Sequence, residues 1–261
     1  MEVDSVDWVT LAAVAQLTYH NLANQRRLLR MRIYFARHGE SQANVLHEIS
    51  NRGLRHGLTR IGREQAEGLA LRLQGLPIAH IYSSPVLRAI ETSVILAHRL
   101  NVDYEITEAL REYDCGVLEG RSGEEAWRGW QDLFDAWVVH HEWERRIEGG
   151  ESFYDIRDRF VPFIEDLVNR YKGTETHVAC VAHGGVYWMM LPVVLNNVTP
   201  ELIARHGFEY TACIVAEWRP TGLFCVEWNE YRLANATQIP QPSNSTAVIA
   251  EIPAPTKKRS G

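Results

Sequence analysis

Apolar and polar positions along the chain change period several times, and each change marks an element. "MRIYFA", from Met31, is a short β-rich run that predicts the first strand. "TRIGREQAEGLALRLQGL" at 59–76 has helical period, with Thr59 placed as an N-cap. "IAHIYSS" reads as a second strand, and "SPVLRAIETSVILAHRL" as a helix with Ser84 as cap and Pro85 in its first turn. "VDYEI" predicts a short strand, and residues 122–147, rich in Trp, Glu and Arg, predict helix without a clean apolar stripe. "ESFYDIRDRFVPFIEDLVNRYK" predicts a long amphipathic helix, capped by Ser152 and bent at Pro162. "HVACVAH" is a buried strand leading into the apolar helix "GGVYWMMLPVVL", and "ACIVAEW" and "LFCVEWNEY" flank "RPTG" as a hairpin.

Strands alternating with helices predict an α/β fold, a three-layer α/β/α sandwich with a largely parallel central sheet. Ligands in such sheets sit beyond the carboxyl ends of the strands. Three segments follow from the pattern: a helical extension over 1–30, a working domain over 31–232, and a tail over 233–261 rich in Pro, Ser, Thr, Asn and Ala. Within the domain, residues 117–155 are the expected helical lid insertion. The apolar face of residues 8–22 has two natural covers, the domain itself or a second copy in a homodimer.

Composition narrows the function classes. With 261 residues and 46% hydrophobic content the chain can bury a core without metal or disulfide staples. A formal net charge of −6 offers no basic excess for a nucleic acid. No run approaches the roughly 20 apolar residues of a membrane span, and "WVTLAAVAQL" has no basic stretch ahead of it as a secretory signal would. The expected location is the cytoplasm, with no membrane partner. Cys115, Cys180, Cys213 and Cys225 form no CxxC pair and are expected as buried, reduced thiols.

Two strands end alike. "IYFARHG" and "VACVAHGG" each deliver a histidine, His38 and His183, at the carboxyl edge, followed by glycine and a helix start. Glycine permits close backbone approach, so Gly39 is expected to clear room for a ligand. A helix N-terminus offers N–H groups to an anion. Arg37 and Arg88 supply guanidiniums suited to phosphate oxygens. Taken singly, Arg88 would pair with Glu91 or Glu108 at the surface, and Glu112 with Arg111 or Arg121.

Together, "RHGESQAN", "YSSPVLRAIET", "LREYDCGVLEG" and "VAHGG" resemble the motif series of the histidine phosphatase (phosphoglycerate mutase-like) superfamily in its cytoplasmic branch, over roughly residues 31–230. The resemblance implies that His38 is a nucleophile forming phosphohistidine. It implies that Arg37, Arg88, Asn44, His183 and Gly184 hold the phosphoryl group, and that Glu112 is proton donor and then base. It implies no cofactor and no metal. "RHGESQANVLHEISNRGLRHGLT" lacks the Trp-Asn pair and the loop shared by mutases of that family, so hydrolysis of a small-molecule phosphate monoester is favoured. The alternatives are a mutase-type phosphoryl transferase and a non-catalytic phosphate-binding protein of the same fold. Three further expectations concern the surroundings. Glu151 approaches the pocket and His56 lies on a loop that can border it. "HHEWE" at 140–144 is a solvated helical face, and one or two of Trp127, Trp130, Trp137 and Trp143 meet substrate if the lid closes over the site.

Overall fold

A computed structural model describes residues 30–229 and 231–233. Apart from Arg30 and Leu233, the helix expected over 1–30 and the tail expected over 233–261 lie outside the described residues.

Short runs of β-branched and aromatic residues form a seven-stranded sheet: β1 (Arg32–Arg37), β2 (Ile78–Ser83), β3 (Asp103–Ile106), β4 (His177–Ala182), β5 (Cys213–Arg219), β6 (Gly222–Trp228) and β7 (Tyr231–Arg232). Their order is β3-β2-β4-β1-β5-β6-β7. The first four in that order run parallel, and β5, β6 and β7 continue antiparallel, so the predicted hairpin closes one side. β4 is buried along its whole length, as a central parallel strand covered on both faces must be.

The pleat's period of two sorts the core into halves. Ile33, Phe35, Val178 and Cys180 point to one side, with Phe160, Ile164, Tyr187 and Met190. Tyr34, Ala36, Ala179 and Val181 point to the other, with Leu69, Leu73 and Leu96. The helices are α1 (Gln42–Leu46), α2 (Arg60–Leu73), α3 (Leu87–Leu100), α4 (Glu124–Val138), α5 (Phe153–Tyr171), α6 (Gly184–Val194) and α7 (Pro200–His206). α2 and α3 therefore cover one face and α5 and α6 the other, which is the α/β/α sandwich expected.

Thr59 and Ser152 cap α2 and α5 as predicted, accepting from the N–H of Gly62 and Asp155. Two local expectations change. Ser84 is not the cap of α3, which starts after an extended Val86 with no side-chain cap. The Ser84 hydroxyl is engaged with His183 instead. The helix expected over 122–147 spans only Glu124–Val138, and "HHEWE" lies on exposed turns. His141 takes a left-handed φ of 57°, and the Trp137 indole donates to the Arg145 carbonyl at 2.8 Å, folding the turn back on the helix. Among the described residues no helix is long and apolar enough to cross a membrane.

Candidate active site

Sheet order assembles the site. β1 and β4 are parallel neighbours in a register that pairs Arg37 with Ala182, so the next residues, His38 and His183, emerge side by side. Their rings stand 5.0 Å apart between centroids. β2 flanks β4 on the other side, with Ser83 opposite Val181, and this brings Ser84 and the first turn of α3 to the same edge. Arg88 in that turn is 4% exposed and reaches His38. The surface pairing open to it in the sequence is therefore not its role.

Hydrogen bonds define the His38 tautomer. Its Nδ1 lies 2.7 Å from the Gly39 carbonyl, which can only accept, so Nδ1 carries the proton. Arg88 Nε, which can only donate, lies 2.9 Å from Nε2. Nε2 therefore presents a lone pair. Burial, then Arg88, then Arg37, hold the imidazole well below its ordinary pKa, so the neutral form persists into acid.

His183 is fixed similarly. The Ser84 hydroxyl accepts from the Val86 N–H at 3.3 Å and lies 2.6 Å from His183 Nε2. With its hydrogen given to that nitrogen, the proton of His183 stands on Nδ1, where it can serve an anion. Among the described residues, His183 Nδ1 and Arg37 Nε are buried polar atoms without a protein partner. Two such donors beside His38 match an oxyanion better than any neutral group. Arg37 is anchored by the Phe208 carbonyl and lies over the Tyr210 ring, 4.6 Å from its centroid. Burial lowers Arg88 to about 10, with Glu112 pulling it up and Arg37 pushing it down, so it remains charged at neutral pH.

Glu112 faces the N-terminus of α6. Its carboxylate accepts from the N–H of Gly185 at 3.0 Å, Val186 at 2.7 Å and Tyr113 at 3.1 Å. Burial nonetheless raises its pKa, overcoming the downward pull of Arg88 and of those N–H groups. Neither Arg111 nor Arg121 pairs with it; Arg111 contacts Glu108, Asp114 and Glu151. The approach depends on glycine, since a Cβ on Gly185 would stand 2.8 and 2.9 Å from the carboxylate oxygens. The helix N–H groups expected to await an anion are thus partly occupied by this carboxylate.

Asn44 lines the pocket, and its amide oxygen accepts from the Ser41 N–H and hydroxyl in the capping box of α1. That leaves the amide nitrogen to meet a ligand. Gly184 lines the pocket beside Arg37. Gly39 serves differently from expectation. A Cβ there would lie 2.3 Å from the Gly62 carbonyl oxygen, so this glycine permits a close crossing with α2, not the entry of a ligand.

The cavity measures about 350 Å³. Arg37, His38, Arg88 and Glu112 form its floor, and Trp127, Trp130 and Phe134 of α4 line it together with Trp188 of α6 and Phe208. Trp137 and Trp143 belong to the core and its margin. Glu151 does not line the pocket. It pairs with Arg111 and Arg159 and accepts from the Asp114 N–H, behind the loop that carries Glu112. His56 is also outside the lining, bonded at 2.9 Å to Glu48, which does line it. Trp188 and Phe208 were not singled out from the sequence, and Ser84 was read there only as a helix cap. The second serine of "YSSP", standing at a strand end, was the available signal for Ser84; the two aromatic rings carried none.

A family model described as histidine phosphatase superfamily (branch 1) matches residues 33–231. The Gallus gallus protein 6-phosphofructo-2-kinase/fructose-2,6-bisphosphatase is 33% identical over 172 residues, which are 65% of this chain but only 34% of that protein. A Salmonella choleraesuis protein named probable phosphoglycerate mutase GpmB is 31% identical over 169 residues, 64% of this chain and 75% of that one. Among solved structures, Bacillus stearothermophilus YhfR is similar with a TM-score of 0.65 and 25% identity, covering 79% of this chain and 99% of its own. With paired histidines at neighbouring strand ends, a buried Arg88, a half-buried Arg37 and a carboxyl opposite them, the chain belongs to the histidine phosphatase superfamily, branch 1.

Proposed function

We propose that this protein is a phosphatase that hydrolyses a small-molecule phosphate monoester through a phosphohistidine on His38, without a metal ion. The observation that carries this reading is the His38 Nε2 lone pair, held by Arg88, with Arg37 and His183 beside it and Glu112 opposite, its pKa raised by burial.

The Arg88 Nε–H that caps Nε2 turns to a phosphoryl oxygen when substrate enters, and Arg37 Nε and His183 Nδ1–H bind the others. Nε2 then attacks phosphorus. As the N–P bond forms, the bond to the leaving oxygen breaks, and the Glu112 carboxyl gives that oxygen its proton. In the second half, Glu112, now a carboxylate, takes a proton from water. The water oxygen attacks phosphorus, the N–P bond breaks, and phosphate leaves with Glu112 protonated again. The arginines stabilise charge on the equatorial oxygens throughout. Residues 117–155, which supply Trp127, Trp130 and Phe134, act as the lid.

A second reading is supported by the likeness to the Salmonella protein: the same phosphohistidine could pass its phosphoryl group to a second hydroxyl, as a mutase does. Hydrolysis of p-nitrophenyl phosphate in excess EDTA separates the possibilities. Wild type should turn over, and His38→Ala should lose at least about a thousandfold in kcat, as removal of a nucleophile does. Equal rates in the two proteins would end the nucleophile assignment. Conversion of 3-phosphoglycerate to 2-phosphoglycerate exceeding phosphate release would favour the mutase.

A further inference from the structure

Beyond the phosphoryl floor, the cavity is an aromatic chamber. Trp130 and Phe134 stack with ring centroids 5.5 Å apart, Phe134 packs edge-on against Trp188 at 4.8 Å, and Trp127 packs edge-on against Trp130 at 5.6 Å. The Trp127 indole is pinned by donation to the His47 carbonyl at 2.8 Å, so this wall is built, not incidental. Charge is distributed just as unevenly. The cationic residues in the lining are Arg37 and Arg88, and both are committed to the phosphoryl end. The other charged side chain in the lining, apart from Glu112, is Glu48. Its carboxylate is held by His56 at 2.9 Å and by Arg55 at 3.1 Å, which engages that guanidinium, as Asp114 engages the neighbouring Arg52.

The geometry points to a substrate class: a phosphate monoester whose alcohol part is uncharged and carries an aromatic or similarly planar apolar group, not one bearing a second carboxylate or phosphate. This rests on the phosphoryl-binding floor proposed above and names what fills the rest of the same site. A second anion on the substrate would meet a wall of rings, the Glu48 carboxylate and the neutral side chains of Asn44, Ser50 and Asn51, with no further lining guanidinium to receive it. A ring would instead exchange water for ring contacts, which aromatic side chains favour in edge and offset geometries. A cavity of about 350 Å³ has room for a phosphoryl group and one modest ring system, at the small end of the roughly 300–1,000 Å³ typical of ligand sites.

The test uses binding first, so that it does not depend on turnover. Benzylphosphonate and 3-phosphonopropionate share a non-hydrolysable phosphonate head and differ in carrying a ring or a carboxylate. Titration calorimetry on the full chain should show benzylphosphonate tighter by at least about tenfold. Trp127→Ala should cut that ratio at least about fivefold, while Trp127→Phe keeps most of it. Glu48→Gln, which releases Arg55, should tighten 3-phosphonopropionate at least about threefold. Equal affinities in wild type, or tighter binding of 3-phosphonopropionate, would overturn the assignment, as would a ratio unmoved by both Trp127→Ala and Glu48→Gln. Turnover then uses benzyl phosphate, glycerol 3-phosphate and 3-phosphoglycerate, all primary alkyl esters, so that leaving-group strength does not imitate ring recognition. The order of kcat/KM should be as named, and 3-phosphoglycerate leading would overturn the class. If p-nitrophenyl phosphate is hydrolysed while 3-phosphonopropionate binds tighter, the substrate class falls and the phosphatase stands. If benzylphosphonate binds tighter but no ester is hydrolysed, the phosphatase falls and the binding preference stands.

Discussion

At His38 and Glu112, burial moves two pKa values in opposite directions, and both shifts serve the same reaction. His38 is lowered, so its neutral form survives well below the ordinary imidazole value of 6.5. Glu112 is raised, so its proton survives above the ordinary carboxyl value of 4.5. The active species needs a neutral His38 and a protonated Glu112. kcat/KM therefore falls on the acid side only below the lowered His38 pKa, and on the alkaline side only above the raised Glu112 pKa, giving a bell whose acid limb lies below 6.5 and whose alkaline limb lies above 4.5. Glu112→Gln should lower kcat for an alkyl phosphate by about a hundred- to ten-thousandfold, the usual worth of a general acid. It should also remove the alkaline limb, with a smaller loss for p-nitrophenyl phosphate, whose leaving group needs little protonation. An alkaline limb unchanged in Glu112→Gln would show that another group sets it. Short motifs pointed to Arg37, His38, Arg88 and Glu112, which line one pocket, and to His183, whose ring stands 5.0 Å from that of His38 outside the lining. The partner of Ser84 was not, because a hydroxyl fits a helix cap as well as it fits a distant imidazole, and only proximity to His183 decides between them.

At the scale of elements, the segment between β3 and α5 supplies both the acid and the aromatic wall, and it is held at its root by Glu151. That carboxylate pairs with Arg111 at 3.0 Å, with Arg159 at 2.9 Å, and accepts from the Asp114 N–H at 2.9 Å. Asp114 in turn holds Arg52 in a two-pronged pair. Glu151→Ala would leave two half-buried guanidiniums facing each other and an N–H without an acceptor. The expected cost is about 2 kcal/mol in denaturant unfolding. Because Asp114 lies two residues from Glu112, kcat should also fall by at least about tenfold. Stability loss with kcat unchanged would separate the clamp from the site. The sequence pointed to Ser152 as a helix cap, and it is one. The role of Glu151 was invisible there, since its partners lie 8 and 40 residues away.

At the scale of the molecule, the sheet order β3-β2-β4-β1 places three strand ends in a row and so builds a site from residues 37 to 208. This convergence has a cost in acid. His38 and His183 are both held neutral by burial, Arg88 and Arg37, and His177 is lowered to about 4, mainly by burial and then by Arg32. The folded state thus binds fewer protons than the unfolded chain below about pH 6.5, so stability falls as pH drops from there. The slope is at most about 1.4 kcal/mol per pH unit for each fully buried histidine. Glu112 has the opposite sign. Its raised pKa makes the folded state hold a proton that the unfolded chain releases, which adds stability as pH falls toward 4.5. Three histidines outweigh one carboxyl, and denaturation midpoints should decline from about pH 7 to about pH 5.5. The decline should be shallower in His183→Gln; an equal slope in that variant would mean the charge balance at the strand ends is not its source.

Local chemistry determined much of this protein before any contact was known. The period of the apolar positions specified the alternation of strands and helices, Thr59 and Ser152 marked helix starts, and the RHG and AHGG segments placed two histidines at strand ends. Each of these signals lies within a few residues of chain, where backbone geometry acts directly. Contacts between distant segments settled the rest: that Gly39 exists for Gly62, that Ser84 serves His183, that Glu112 binds the first turn of α6, and that four aromatic rings meet over the phosphoryl floor. Those outcomes depend on which surfaces packing brings within a few ångströms of one another. A side chain carries no mark of its distant neighbour, so the folded chain alone assigns the partners.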